Sequence, residues 1–388
     1  MRMGLLFTIL LCLLLLAACG AVPAATVPEA ELPASAPPSP EPAPTPVPSP
    51  PPADEAERVL REMSTEQKVF QMLMLCCHQP EEAGAAAEKG VGGLCLFAAS
   101  FEGKGPEEVR AMTAELQALA PLPLLLAVDE EGGIVCRVSI NPKLRFANFD
   151  SPRRLYERGG WALVERDARE KNALLLDLGL NVNLAPVVDV ALSKTDYIYP
   201  RCFSLDAGTT AEFAALVVPV MHEVGVGCVL KHFPGYGGSV DTHTGTAVDE
   251  RPLEDFRQRD LPPFAAGIEA GADAVLVSHN VVRCLDAERP ASLSPAVVGL
   301  LRGELGFEGV ILCDDLTMGA IASVAGDTHP AVLAAQAGID LICCGDYEAA
   351  GAALLAAAED GTLPAEQIDA SVLRILRWKL SLGLIGNE

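Results

Sequence analysis

Eight short apolar runs, each separated from the next by a stretch of helical character, constrain this chain more than any other feature. The runs are Gln71 to Cys77, Gly92 to Phe97, Leu124 to Asp129, Asn181 to Pro186, Gly227 to His232, Asp273 to His279, Gly309 to Asp314 and Asp340 to Cys344. Each is of strand length and reads as a buried strand. Between them lie Ala- and Leu-rich segments with helical periodicity, among them Pro106 to Leu119, Trp161 to Leu178, Thr209 to Val224 and Pro295 to Leu305. Eight β units alternating with helices predict an α/β fold, a TIM (β/α)8 barrel in one domain, with function at the C-terminal ends of the strands. A doubly wound open sheet is the competing architecture, but no Gly-x-Gly-x-x-Gly turn follows the first strand.

The polar residues follow the barrel reading. Asp129, Asn183, Lys231 with His232, His279, and Asp314 with Asp315 all fall at or near the downstream ends of the runs. The densest stretch begins at Lys231-His232-Phe233-Pro234-Gly235, breaks into a loop at Pro234, and reaches Asp241-Thr242-His243 after further glycines. A carboxylate two residues before an imidazole can orient the ring and raise its proton affinity, as a proton shuttle near neutral pH requires. Charged groups at the mouth of a strand are expensive to place without partners, so the stretch reads as a site. His279 ends a strand and is a lesser candidate, equally readable as a satisfied core histidine. His78, His222 and His329 form no constellation and read as ordinary.

These residues also carry a family resemblance. Lys231 to Gly235 with Asp241-x-His243, Val128-Asp129-Glu130-Glu131-Gly132-Gly133, Asn183 to Val190, Arg201-Cys202-Phe203-Ser204 and Cys313-Asp314-Asp315-Leu316-Thr317-Met318 together resemble glycoside hydrolase family 3. The branch resembled is the single-domain β-N-acetylhexosaminidases that act on peptidoglycan. The resemblance implies a retaining, two-step hydrolysis of β-linked N-acetylglucosamine without metal or other cofactor. By match to the family's motifs, Asp314 is the nucleophile, and His243 assisted by Asp241 is the acid/base. Asp315, directly before Leu316-Thr317-Met318, suits a helix cap better than a nucleophile. Asp129, Arg137, Arg201, Lys231 and His232 match the substrate-binding positions. Tyr236 and Gly238 stand where His and Asp are frequent, the loop is one residue shorter before the Asp-x-His pair, and Ile134 replaces a common arginine. The resemblance leaves open a β-glucosidase or β-xylosidase, or a phosphorylase in which phosphate replaces water. A sugar-binding lipoprotein without activity is the reading from another class. No second α/β domain, of the kind many β-glucosidases carry, is expected before the end at Glu388.

Ahead of the barrel, Met1-Arg2-Met3 and the apolar run Gly4 to Leu16 read as an export signal. Leu16-Ala17-Ala18-Cys19-Gly20 resembles a bacterial lipobox, which implies a signal over residues 1–18 and lipidation at Cys19. Residues 19–53 hold a linker with 13 prolines between Pro23 and Pro52 and no Lys or Arg there, a composition that favours extended polyproline II. The globular part is expected over residues 54–388, outside the cell and tethered to the bacterial membrane through the lipid. A net charge of −24 argues against nucleic-acid partners, since phosphate binding needs a basic footprint; a carbohydrate is the expected partner. Of twelve cysteines, Cys12 and Cys19 belong to the signal, and the spacing of the rest matches no zinc site. Mostly free, buried thiols are expected.

Overall fold

The computed structural model describes residues 55–238, 247–322 and 327–386. The signal, the linker, Cys19, Asp241 and His243 therefore lie outside the described residues. Eight parallel strands form the sheet: β1 (Leu73–Cys77), β2 (Gly93–Leu96), β3 (Leu125–Val128), β4 (Val182–Asn183), β5 (Gly227–Phe233), β6 (Ala274–Val277), β7 (Val310–Cys313) and β8 (Ile342–Cys344). Each pairs with its neighbour in sequence, β8 returns to pair with β1, and a parallel bridge between Leu312 and Leu341 joins the β7 side to the β8 side. The sheet is thus the expected barrel, and the open-sheet alternative is excluded. Every residue of β1, β2, β3, β5, β6, β7 and β8 is buried, because side chains fill the barrel on one face and helices cover the other.

The expected helices recur with small shifts. Pro106–Leu119 has the expected bounds, and Ala207–Val224 starts two residues early, where Asp206 Oδ2 accepts from Thr209 N at 2.7 Å. Trp161 to Leu178 is the later part of a longer stretch, Pro152–Asp177, broken at Gly160 with φ 64°. Pro295 to Leu305 divides into an α-helical turn, Pro295–Gly299, and a π-helical one, Leu300–Glu304. Every described cysteine is free, and all but Cys284 are buried.

Lys379, in the last helix Ala365–Ser381, is fully buried and donates to Gln71 Oε1 at 2.7 Å. Burial pushes its ammonium down to about 7. An unfolded chain's lysine titrates near ~10.4, so between these values the unfolded chain holds a proton that the native state lacks, and stability rises with pH. Above ~8.5 the thiols act in the opposite sense, because unfolded cysteines ionise there while burial pushes Cys77 up to about 12 and Cys136 to about 11. From pH 7 to 8, the unfolding free energy from urea titrations is expected to rise by up to about 1.4 kcal/mol more in the wild type than in Lys379→Met. Parallel slopes in the two proteins would refute this.

Candidate active site

The strand ends at the C-terminal mouth of the barrel hold an ion network. Lys231, on β5, is 2% exposed and donates from Nζ to Asp129 Oδ1 at 2.5 Å; its Nζ also lies 2.7 Å from Glu131 Oε1. Arg201, from the loop between β4 and the Ala207–Val224 helix, grips Glu131 with both ends of its fork, at 2.9 and 2.6 Å. Two carboxylates and two cations are thereby mutually neutralised in a space that water barely reaches. Burial pushes the Glu131 carboxyl up, but Arg201 and Lys231 outweigh it and hold the group well below the usual carboxylate range. Burial likewise disfavours the Lys231 ammonium, yet Asp129 and Glu131 raise it above its ordinary value. Removing one member strands a buried charge, a change that typically costs about 3–5 kcal/mol.

His232 is held from two sides. Its Nδ1 lies 2.7 Å from Asp189 Oδ2, and its Nε2 lies 3.0 Å from Arg201 Nη2. A guanidinium only donates and a carboxylate only accepts, so the ring carries its proton on Nδ1 and accepts at Nε2. Asp189 also takes the backbone N–H groups of His232 at 3.0 Å and Tyr236 at 2.8 Å. Tyr236, at a position where the family frequently has histidine, is 2% exposed; it packs with Ala191, Ile198 and Cys202 and meets the His232 ring edge-on at 5.2 Å. The next residues turn sharply. Gly235 has φ 122°, and a Cβ there would stand 2.4 Å from Asp260 Oδ1.

Asp314 follows β7 directly. Its N–H donates to Val277 O at 3.0 Å, and its Oδ1 accepts from the Asp315 N–H at 2.9 Å. Burial pushes this carboxyl up, but the rings of His279 and His232, the Asp315 N–H and Lys231 outweigh it, leaving Asp314 below its ordinary value and ionised at neutral pH. Asp315 turns away from it. One oxygen accepts from Thr317 N at 2.9 Å and the other lies 2.8 Å from His78 Nε2, so Asp315 closes a turn ahead of the short helix Gly319–Ala322 rather than capping that helix directly.

The remaining expectations divide. Asp129, Arg201, Lys231 and His232 come together. Arg137 lies on the loop after β3, with its guanidinium 5.7 Å from the Phe97 ring and its buried Nε without an acceptor among the described residues. Asn183 ends β4 as expected but is occupied: it exchanges 3.1 Å hydrogen bonds with the backbone N–H and carbonyl of Glu130. Glu130 in turn accepts from the N–H groups of Arg137 and Val138 at 2.8 and 2.7 Å and from the Ser139 hydroxyl, folding the loop that carries Arg137. His279 is fully buried and satisfied, with Nδ1 2.7 Å from Ser292 Oγ and Nε2 donating to Asp315 O at 2.9 Å; it stands behind the Asp314 turn. His78, read as ordinary, belongs to the mouth through Asp315 and packs on Phe97 with centroids 4.5 Å apart. Glu131 and Asp189 had no assigned role. Their signal was three consecutive acids before two glycines, and a lone aspartate inside an apolar run.

Residues 64–378 match the glycosyl hydrolase family 3 N terminal domain. A beta-hexosaminidase of Stenotrophomonas maltophilia is 39% identical over 258 residues, covering 65% of this chain and 75% of that protein. Among solved structures, a glycoside hydrolase family 3 β-N-acetylglucosaminidase from Paenibacillus sp. is similar with a TM-score of 0.78 and 34% identity, over 84% of this chain and 64% of that one. A β-N-acetylhexosaminidase from Beutenbergia cavernae is similar with a TM-score of 0.72 and 30% identity, over 81% of this chain and 98% of that one.

Proposed function

The chain belongs to glycoside hydrolase family 3, and from that premise we propose that it is a retaining exo-β-N-acetylglucosaminidase that releases terminal β-linked N-acetylglucosamine. The observation that carries this reading is the Asp314 carboxylate, fixed at the end of β7, kept ionised and within electrostatic reach of Lys231. A retaining enzyme needs a nucleophile of this kind to attack the anomeric carbon and form a glycosyl ester. Lys231 and Asp129 present a donor and an acceptor to sugar hydroxyls, and Arg201 with His232 extends that polar wall. The unpartnered Arg137 Nε suits a further hydroxyl or carbonyl oxygen of the sugar.

In this scheme His243, assisted by Asp241, first protonates the leaving glycosidic oxygen. It then takes a proton from the water that hydrolyses the ester. An imidazole suits the second group because another carboxylate beside Asp314 would be repelled. The defining experiment measures kcat/KM for chromogenic β-N-acetylglucosaminide and β-glucoside side by side. We expect preference for the acetamido sugar by about 100-fold or more, in the range that one specific polar contact confers. Equal or better turnover of the glucoside would remove the hexosaminidase reading. Sugar binding without turnover would leave the sugar-binding lipoprotein.

The sequence of the first 53 residues supports export and lipidation at Cys19, with the Pro-rich linker holding the barrel off the membrane. On that placement the natural substrates are cell-wall fragments outside the membrane. Incorporation of labelled palmitate, expected in the wild type and absent in Cys19→Ala, tests the anchor; equal labelling of both would exclude it.

A further inference from the structure

At the opposite end of the barrel from the sugar-binding mouth, three side chains with no part in the proposed chemistry converge. His222 comes from the last turn of the Ala207–Val224 helix, Cys228 is the second residue of β5, and Asp273 directly precedes β6. His222 Nε2 lies 2.8 Å from Asp273 Oδ2, Cys228 Sγ lies 3.3 Å from the same oxygen, and Sγ and Nε2 are 3.7 Å apart. One nitrogen, one sulfur and one oxygen thus mark the corners of a small triangle. Its inner side is closed, since Cys228 is fully buried, while its outer side opens to solvent past the His222 side chain, 35% exposed. The Cys228 N–H donates to Asp273 Oδ2 at 2.9 Å and fixes the carboxylate in place.

We propose that His222, Cys228 and Asp273 form a binding site for a divalent transition metal of the zinc class. Zinc takes four tetrahedral ligands, at ~2.0–2.1 Å from nitrogen, ~2.3 Å from sulfur and ~2.0–2.2 Å from oxygen. At tetrahedral angles those bonds separate nitrogen from oxygen by ~3.3 Å, and sulfur from either by ~3.6 Å. The observed separations of 2.8, 3.3 and 3.7 Å depart from these by about 0.5 Å at most. The main adjustment is exchange of the His222 to Asp273 hydrogen bond for two metal bonds. On binding, metal bonds form to Nε2, to Sγ and to a carboxylate oxygen; the thiol proton passes to solvent, and the Nε2 proton that His222 donates to Asp273 is given up as well, to Nδ1 of a neutral ring or to solvent from a charged one. Solvent takes the fourth position. A thiolate with an imidazole selects such a metal over magnesium or calcium, which prefer oxygen alone. The bound metal would tie the end of the helix to β5 and β6 on the face of a barrel that serves stability.

Titration of the metal-free purified protein with Co²⁺, followed by Zn²⁺, tests this. The expected result is one equivalent of Co²⁺ per chain with a thiolate-to-cobalt absorption band, displaced by one equivalent of Zn²⁺, and a higher thermal midpoint with Zn²⁺. His222→Gln and Cys228→Ser should each lose the band and the thermal shift while keeping the wild-type circular dichroism. Cys284→Ser, which removes the exposed thiol, should keep both. His222→Gln, on a solvent-facing helix end, decides the matter if Cys228→Ser does not fold. Absence of the band in the wild type, or its survival in His222→Gln, would overturn the site and leave a plain His222 to Asp273 ion pair.

Discussion

Asp314→Asn should abolish turnover, lowering kcat on the order of 10⁴-fold or more, as removal of a covalent nucleophile does elsewhere. The substitution is nearly isosteric, and the side-chain oxygen can still accept from the Asp315 N–H, so the turn after β7 is retained. What disappears is the anionic oxygen proposed to attack carbon. Asp314 lies below its ordinary value, so it stays ionised to lower pH than a free aspartate does. An acid limb in kcat/KM above about pH 4 must then belong to another group. Steady-state kinetics on the acetamido substrate decide the point, with thermal unfolding as the control for folding. Activity within tenfold of the wild type would remove Asp314 from the nucleophile's role.

His243→Ala is expected to cost about 10²–10⁴-fold, the usual span for a lost general acid/base, but unevenly across substrates. A nitrophenolate leaves without help, so for aryl glycosides formation of the ester is largely spared and its hydrolysis becomes slow. Rapid mixing should then show a burst of nitrophenol followed by a weak steady state. For a disaccharide, whose sugar alkoxide needs a proton to leave, the first step collapses as well and the burst is lost. A loss of the same size for both leaving groups, without a burst, would assign His243 to binding rather than to proton transfer.

The barrel and the position of its mouth were legible because both rest on local properties. Strand length, apolar runs and the polar residues that end them are written in consecutive positions, and Asp129, Lys231 and Asp314 could be placed from them. The groups that make the site work as a unit were not. Glu131 matters because Arg201, seventy residues away, and Lys231 meet it in space. Asp189 matters because it turns the His232 ring and takes two backbone N–H groups forty or more residues downstream. In sequence each is one acid among 52 acidic residues. Asn183 shows the converse: an amide at the expected strand end whose hydrogen-bonding groups serve the Glu130 backbone. His222 read as ordinary for the same reason, since its neighbours Cys228 and Asp273 come from two different strand beginnings.

The double grip of Asp189 on His232 and Tyr236 has a bearing on how such a chain can diversify. It fixes the backbone through residue 236, and on the far side the Val281 N–H donates to Ala247 O at 2.8 Å, so the chain is secured again where it returns. The intervening positions, Asp241 and His243 among them, are bracketed by these two anchors. On the roles proposed above, the proton-transfer pair falls on this bracketed stretch, while Lys231 and Asp129 stand at strand ends outside it. Variation between the anchors would then bear on the proton donor and the leaving-group side, and variation at the strand ends on the sugar that is held.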